Sequence, residues 1–143
     1  MFASSIMISG VGSIAVLSRD PGKLAEWYRD KLGFEIVESQ GHNVFVRPRG
    51  SSEPLLHLCG KCDDWESDEP GGRTGIWLHC GPLRMLRDEK TGRLTPSSDP
   101  EEVERTYLDL KSKGVEFSEE LRTLSWGKAA ILKDLEGNEF EIS

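Results

Sequence analysis

The sequence predicts an α+β fold of two tandem β-α-β-β-β modules whose curved mixed sheets surround a central trough. Three observations carry this. Residues 20–38, DPGKLAEWYRDKLGFEIVE, and residues 99–117, DPEEVERTYLDLKSKGVEF, repeat one pattern: an Asp-Pro helix start, an amphipathic helix, a Gly stop and a strand. Each repeat is followed by two further short strand patterns separated by turn residues. The chain has 143 residues, so each half is too small to hold a good core alone and the two should pack as one unit.

In the first module, residues 12–62, Ile14 to Leu17 are an apolar run of strand length. Asp20 caps the helix and Pro21 suits its first turn. Leu24, Trp27, Tyr28 and Lys31/Leu32 recur at three and four residues as one buried stripe, and Gly33 ends it. Phe34 to Glu38 alternate as a strand, Gly41-His42-Asn43 turns the chain, and Val44 to Arg47 returns. A second turn at Gly50-Ser51-Ser52 leads into Leu55 to Cys59.

Residues 63–73 are an acidic, Gly/Pro-rich linker. The second module, residues 74–143, opens with a strand from Gly75 to Cys80. An insertion at 81–98 then breaks the symmetry, as a flap or extra hairpin over a cavity or as a plain surface excursion. Asp99 caps the second helix, Glu102 stands at the capping-box position, and Val103, Tyr107 and Leu110 form its stripe. After Gly114 come strands at Val115 to Phe117, Trp126 to Lys133 and Glu139 to Ser143, the last two joined by a turn at 134–138. The expected assembly has the helices outside and the strands' inward side chains lining the trough.

Composition bounds the function. The net charge of −7 and the lack of a basic stripe disfavour nucleic acid as a partner. No run reaches the ~18–20 apolar residues of a membrane span. Residues 1–12 lack the positive start of a signal peptide and read as a loose lead or an extra edge strand. Three cysteines, an odd number, suit reduced thiols and a cytoplasmic location. Cys59 and Cys62 have CxxC spacing, but no second pair follows, and Asp63-Asp64 disfavour a thiolate. No P-loop, GxGxxG, HExxH or nucleophile elbow is present.

The stretches RDPGKLAEWYRDKLGFEIVE, YLDLKSKGVEF and WGKAAILKDLEGNEFEI, in this order and duplicated, resemble the vicinal-oxygen-chelate superfamily. That superfamily includes glyoxalase I, bleomycin- and fosfomycin-resistance proteins and extradiol dioxygenases. The resemblance implies a glyoxalase/bleomycin-resistance/dihydroxybiphenyl-dioxygenase-like fold, with up to four metal ligands on the first and last strands of each module. Here those positions hold Ser13, His57, Gly75 and Glu141. Ser13 is a poor metal ligand and Gly75 has no side chain, so the resemblance implies an incomplete set. A divalent ion (Zn, Fe, Mn or Ni) is one outcome and no metal is the other.

The candidate residues follow. His57 and Glu141, on the closing strands of their modules, are expected to face one cavity as catalytic and metal-binding groups, and His79 is a third candidate ligand by strand alternation from Gly75 and Trp77. A core histidine and an exposed edge-strand acid are the plainer readings of His57 and Glu141. Ser13, Cys59, Trp77 and Trp126 are candidate contacts for a small-molecule ligand, because aromatic walls suit flat or apolar molecules. Arg47, Arg49 and Arg122 are spare cations that read first as solvated surface, and Trp65 is an interface or lid candidate. Three functional classes stay open: a divergent metal-dependent lyase, isomerase or dioxygenase; a metal-free small-molecule or drug-sequestering binder; and a structural or regulatory module that kept the fold and lost the chemistry. Exposed strand edges and marginal halves predict a homodimer.

Overall fold

The computed structural model describes residues 7–60 and 71–143. The segment from 61 to 70, holding most of the expected linker with Cys62 and Trp65, lies outside the described residues, as do residues 1–6. Residues 7–12 carry no strand.

The first module runs β1 (Ser13–Ser18), α1 (Pro21–Leu32), β2 (Phe34–Gln40), β3 (Asn43–Pro48) and β4 (Leu55–Gly60). The second runs β5 (Gly72–Leu78), β6 (Arg84–Arg87), β7 (Leu94–Ser97), α2 (Pro100–Ser112), β8 (Glu116–Leu124), β9 (Gly127–Lys133) and β10 (Asn138–Ile142). Setting the β6–β7 hairpin aside, both modules are β-α-β-β-β, and their four-stranded sheets have the same order, β1-β4-β3-β2 and β5-β10-β9-β8. In each, the first strand pairs parallel with the last and the other pairs are antiparallel.

The helix limits follow from local chemistry. The Asp20 carboxylate accepts from the Lys23 amide at 3.2 Å, Pro21 fills the first turn, and Gly33 closes α1 in the left-handed region at φ 75°. Asp99 caps α2 by accepting from the Glu101 amide at 3.0 Å.

Leu24, Ala25 and Tyr28 of α1 and Val103 and Leu110 of α2 are buried in one core with Val44, Val46, Leu58, Leu132 and Phe140. The arrangement of the two sheets follows from two contacts. Tyr28 touches the ring of Phe34, at the start of β2, and the ring of Phe140 on β10, at centroid distances of 5.4 and 6.1 Å. Ser18, on β1 at the opposite edge of that sheet, donates to Glu136 in the β9–β10 turn. The strands β1 and β2 stand about 14 Å apart, three strand spacings. Sheets set side by side could meet the β9–β10 region from one of these edges but not from both. Both sheets therefore pack on α1 and share one core. The expectation that the helices only cover the outside is corrected for α1: its buried stripe packs on both sheets, while Lys23, Glu26, Arg29 and Asp30 stay exposed.

Three further features bear on the site. The insertion at 81–98 folds as the β6–β7 hairpin. β8 extends to Leu124, well past Phe117, because exposed polar residues alternate along it with half-buried ones. β5 starts at Gly72 and is bulged: from the Glu139↔Arg73 pair to the Glu141↔Trp77 pair, β10 advances from 139 to 141 while β5 advances from 73 to 77. Gly75 lies in that bulge at φ 76°, a conformation a side-chain-bearing residue adopts only at a cost.

Candidate functional site

Alternation along β4 sends Leu56 and Leu58 into the core and leaves Leu55, His57 and Cys59 half-buried on the outward face. Ser13 on β1 pairs with Leu55 and shares that face, at its exposed end. Phe45 lies opposite His57 on β3, and the two rings stack at 4.4 Å with an angle of 12° between planes. His57 Nε2 stands 2.7 Å from the Asn43 carboxamide oxygen, which fixes the ring and makes Nε2 the donor. Cys59 Sγ donates to the Gly60 carbonyl at 3.4 Å.

The second outward face is built on β10. Phe140 and Ile142 enter the core, whereas Glu139 and Glu141 stay half-buried outside. Glu141 pairs with Trp77 on one side and Ile131 on the other. Its Oε2 accepts from Ser143 Oγ at 3.0 Å, and Trp77 Nε1 donates to the Ser143 carbonyl at 3.0 Å. Beside this trio the β6–β7 hairpin covers a cavity of about 400 Å³, lined among others by Trp77, Leu86, Pro96, Trp126, Lys128 and Ser143. Trp126, in the β8–β9 turn, is 58% exposed. Lys128 is held by Glu104 at 2.8 Å.

His57 and Glu141 thus stand on the core-averted faces of two different sheets. His79 lies past the end of β5, where Nε2 is 2.5 Å from a Glu53 carboxylate oxygen and Nδ1 is 2.7 Å from the Gly81 carbonyl. Among the described residues no three His, Cys, Asp or Glu side chains form a group able to hold a metal ion.

The turn at 134–138, the most family-like stretch of the sequence, serves structure. The Asp134 carboxylate accepts from the Glu136 and Asn138 amides at 2.9 Å, from Asn138 Nδ2 at 2.8 Å and from the Tyr28 hydroxyl at 2.8 Å. Burial, together with the neighbouring Asp134 carboxylate, pushes the Tyr28 hydroxyl pKa well above its ordinary value.

Residues 10–142 match the profile of the Glyoxalase/Bleomycin resistance protein/Dioxygenase superfamily. The chain belongs to that superfamily. It is 26% identical over 134 residues to the uncharacterised protein YetH of Bacillus subtilis (strain 168), covering 94% of this chain and 97% of that protein. A superfamily member from Sphaerobacter thermophilus DSM 20745 superposes with a TM-score of 0.69 at 27% identity, over 96% of this chain and 98% of that one. TnmS3, an antibiotic binding protein from Streptomyces sp. CB03234, superposes with a TM-score of 0.67 at 22% identity, over 97% and 98% of the two chains, and shares the fold.

Sequence reasoning missed Leu86, Pro96, Lys128 and Ser143 as lining residues. The signal that could have found them was the insertion itself, since its Leu83, Met85 and Leu86 have no apolar stripe of their own to join. Among the described residues no helix is long and apolar enough to cross a membrane.

Proposed function

We propose that the protein is a homodimeric, metal-independent binder that sequesters a flat aromatic molecule. The observation that carries this reading is the cavity of about 400 Å³ between Trp77, Trp126 and the β6–β7 hairpin. Its size suits a drug-like molecule, and two indoles offer stacking surface. The antibiotic-binding role in the name of TnmS3, a protein of the same fold, supports it.

The dimer completes the site. Each chain presents two unfinished surfaces: the Phe45–His57 face of the first sheet and the Trp77–Glu141 face of the second. Ile14, Ile36 and Val37 on the first sheet and Leu83, Met85, Leu86 and Leu94 in the hairpin region are exposed apolar side chains that a second chain would cover. A two-fold pairing sets the first face of one chain against the second face of its mate and closes the trough between them.

A metal-dependent lyase or dioxygenase is the second reading, and it rests on His57 and Glu141, the two ligand-type side chains at the family's strand positions. In that reading the pairing would have to bring the His57 face of one chain to the Glu141 face of the other. There the two would hold a divalent ion able to polarise vicinal oxygens of a substrate.

The test is a tryptophan-fluorescence titration with two planar probes, cationic proflavine and neutral anthraquinone. Saturable quenching by one or both, weakened in Trp77→Ala and Trp126→Ala, is the expected result. Linear, unsaturable quenching that is the same in all three proteins would overturn the reading.

A further inference from the structure

A second cavity, of about 360 Å³, lies on the inner side of the fold, where the C-terminal end of α1 meets α2. Leu78, Leu110, Leu132 and Ile142 give it an apolar floor, and Phe34 and Pro48 come from the first module. A cavity of roughly 150 Å³ takes benzene, so this one has room for a ring with a short chain. Its lining also holds the polar residues His79, Glu53, Ser51 and Thr106, the first two in contact with each other.

His79 has an informative geometry. Both ring nitrogens face acceptors: the Gly81 carbonyl at 2.7 Å and the Glu53 carboxylate at 2.5 Å. A neutral imidazole donates from one nitrogen only, so both bonds together require the imidazolium. Burial opposes that charge, but the Glu53 carboxylate and the Gly81 carbonyl outweigh it and raise the His79 pKa above its ordinary value. The other ionisable groups nearby are Glu102, whose side chain packs beside Gly81, and Cys80, whose thiol burial pushes up and keeps neutral. The cavity therefore carries one cation at its edge. That cation's present partner is a half-exposed glutamate on the β3–β4 turn.

We propose that this cavity, which shares only Trp77 with the hairpin cavity, is a second ligand site for a small apolar carboxylate. Its apolar body lies among Leu78, Leu110, Leu132 and Ile142, and its carboxylate replaces Glu53 on the His79 imidazolium. A carboxylate already occupies the position, so the exchange keeps the charge-assisted bond and adds burial of the apolar body. Because Glu53 belongs to the first module and His79 to the second, occupancy exchanges a link between modules for a link to the ligand. The inference does not rest on the function proposed for the outward faces.

The test is calorimetric titration of the full chain at pH 5.5 with 3-phenylpropionate and, as the neutral counterpart, 3-phenylpropan-1-ol. The acid is expected to bind one site per chain at least ~10-fold more tightly than the alcohol, as a charge-assisted bond should provide. His79→Gln should bring the acid down to the affinity of the alcohol. Glu53→Gln, which removes the competing carboxylate, should tighten the acid. Affinity for the acid should fall as the pH rises through the His79 pKa. Nuclear Overhauser contacts from the phenyl protons should reach the methyls of Leu110, Leu132 and Ile142. Equal affinity for acid and alcohol, weaker acid binding in Glu53→Gln, contacts to Trp126 instead, or no heat at millimolar acid would each overturn the proposal. Both substitutions are at partly exposed side chains, so circular dichroism will show whether each variant is folded.

Discussion

Tyr28→Phe tests the joint between the two modules. The ring stays, so its contacts with Phe34 and Phe140 are kept. One hydrogen bond goes: the 2.8 Å bond from the hydroxyl to Asp134, in a buried setting. Asp134 keeps three donors, the Glu136 and Asn138 amides and Asn138 Nδ2, so the carboxylate is not orphaned. A hydrogen bond to a charged group contributes about 1.5–3 kcal/mol, and the remaining donors place the expected loss near the lower end, about 1.5–2 kcal/mol. At about 2–4 °C per kcal/mol for a chain of this size, Tm should fall by about 3–8 °C. Urea unfolding followed by circular dichroism measures the loss as a lower midpoint at constant m-value. A further check is pH. The raised Tyr28 pKa means the stability it contributes is present below the unfolded tyrosine value of about 10 and is lost as pH rises above it. Tyr28→Phe should therefore flatten the alkaline fall in stability. A loss below about 0.5 kcal/mol, with the alkaline limb unchanged, would refute the view that this bond ties the modules together.

Three other outcomes follow. Gly75→His, which restores the residue type the family places there, should not create a metal centre. It should lose about 1–2 kcal/mol in thermal unfolding, because φ 76° in the bulge disfavours any side chain. Trp126→Ala should weaken binding of a planar aromatic probe by about 1 kcal/mol, roughly 5-fold, with little change in Tm, since the side chain is half-exposed. Stability should drop slightly as pH rises through the raised His79 pKa, starting near the ordinary value of about 6.5, because the folded state holds that proton more tightly. Solvent screening of the exposed Glu53 keeps this to a few tenths of a kcal/mol, and His79→Gln should remove it.

The repeat made the fold legible. Asp20-Pro21 and Asp99-Pro100 start helices for reasons internal to their own turns, and the alternation in LLHLC sends Leu56 and Leu58 inward whatever lies beyond them. The placement of the modules was not legible, because a buried stripe such as that of Tyr28 does not say which second surface covers it. His57 and Glu141 were each read onto the open face of their own sheet, and alternation along β4 and β10 puts both there. His79 was read by alternation from Gly75, and the bulge between Arg73 and Trp77 breaks that count. The Asp134 turn carried the strongest family signal, yet its carboxylate is fully engaged in holding the turn and Tyr28. Local sequence patterns of this kind report folding as readily as chemistry.

The most direct test of the central reading is elemental analysis of chelator-free protein, joined to aromatic-probe titration of the same sample before and after dialysis against EDTA. The reading predicts less than about one-tenth of an equivalent of zinc, iron, manganese or nickel per chain, and saturable probe binding that EDTA leaves unchanged. Near-stoichiometric metal that disappears in both His57→Ala and Glu141→Ala, with probe binding lost on EDTA treatment, would contradict it and establish a metal centre shared across the dimer.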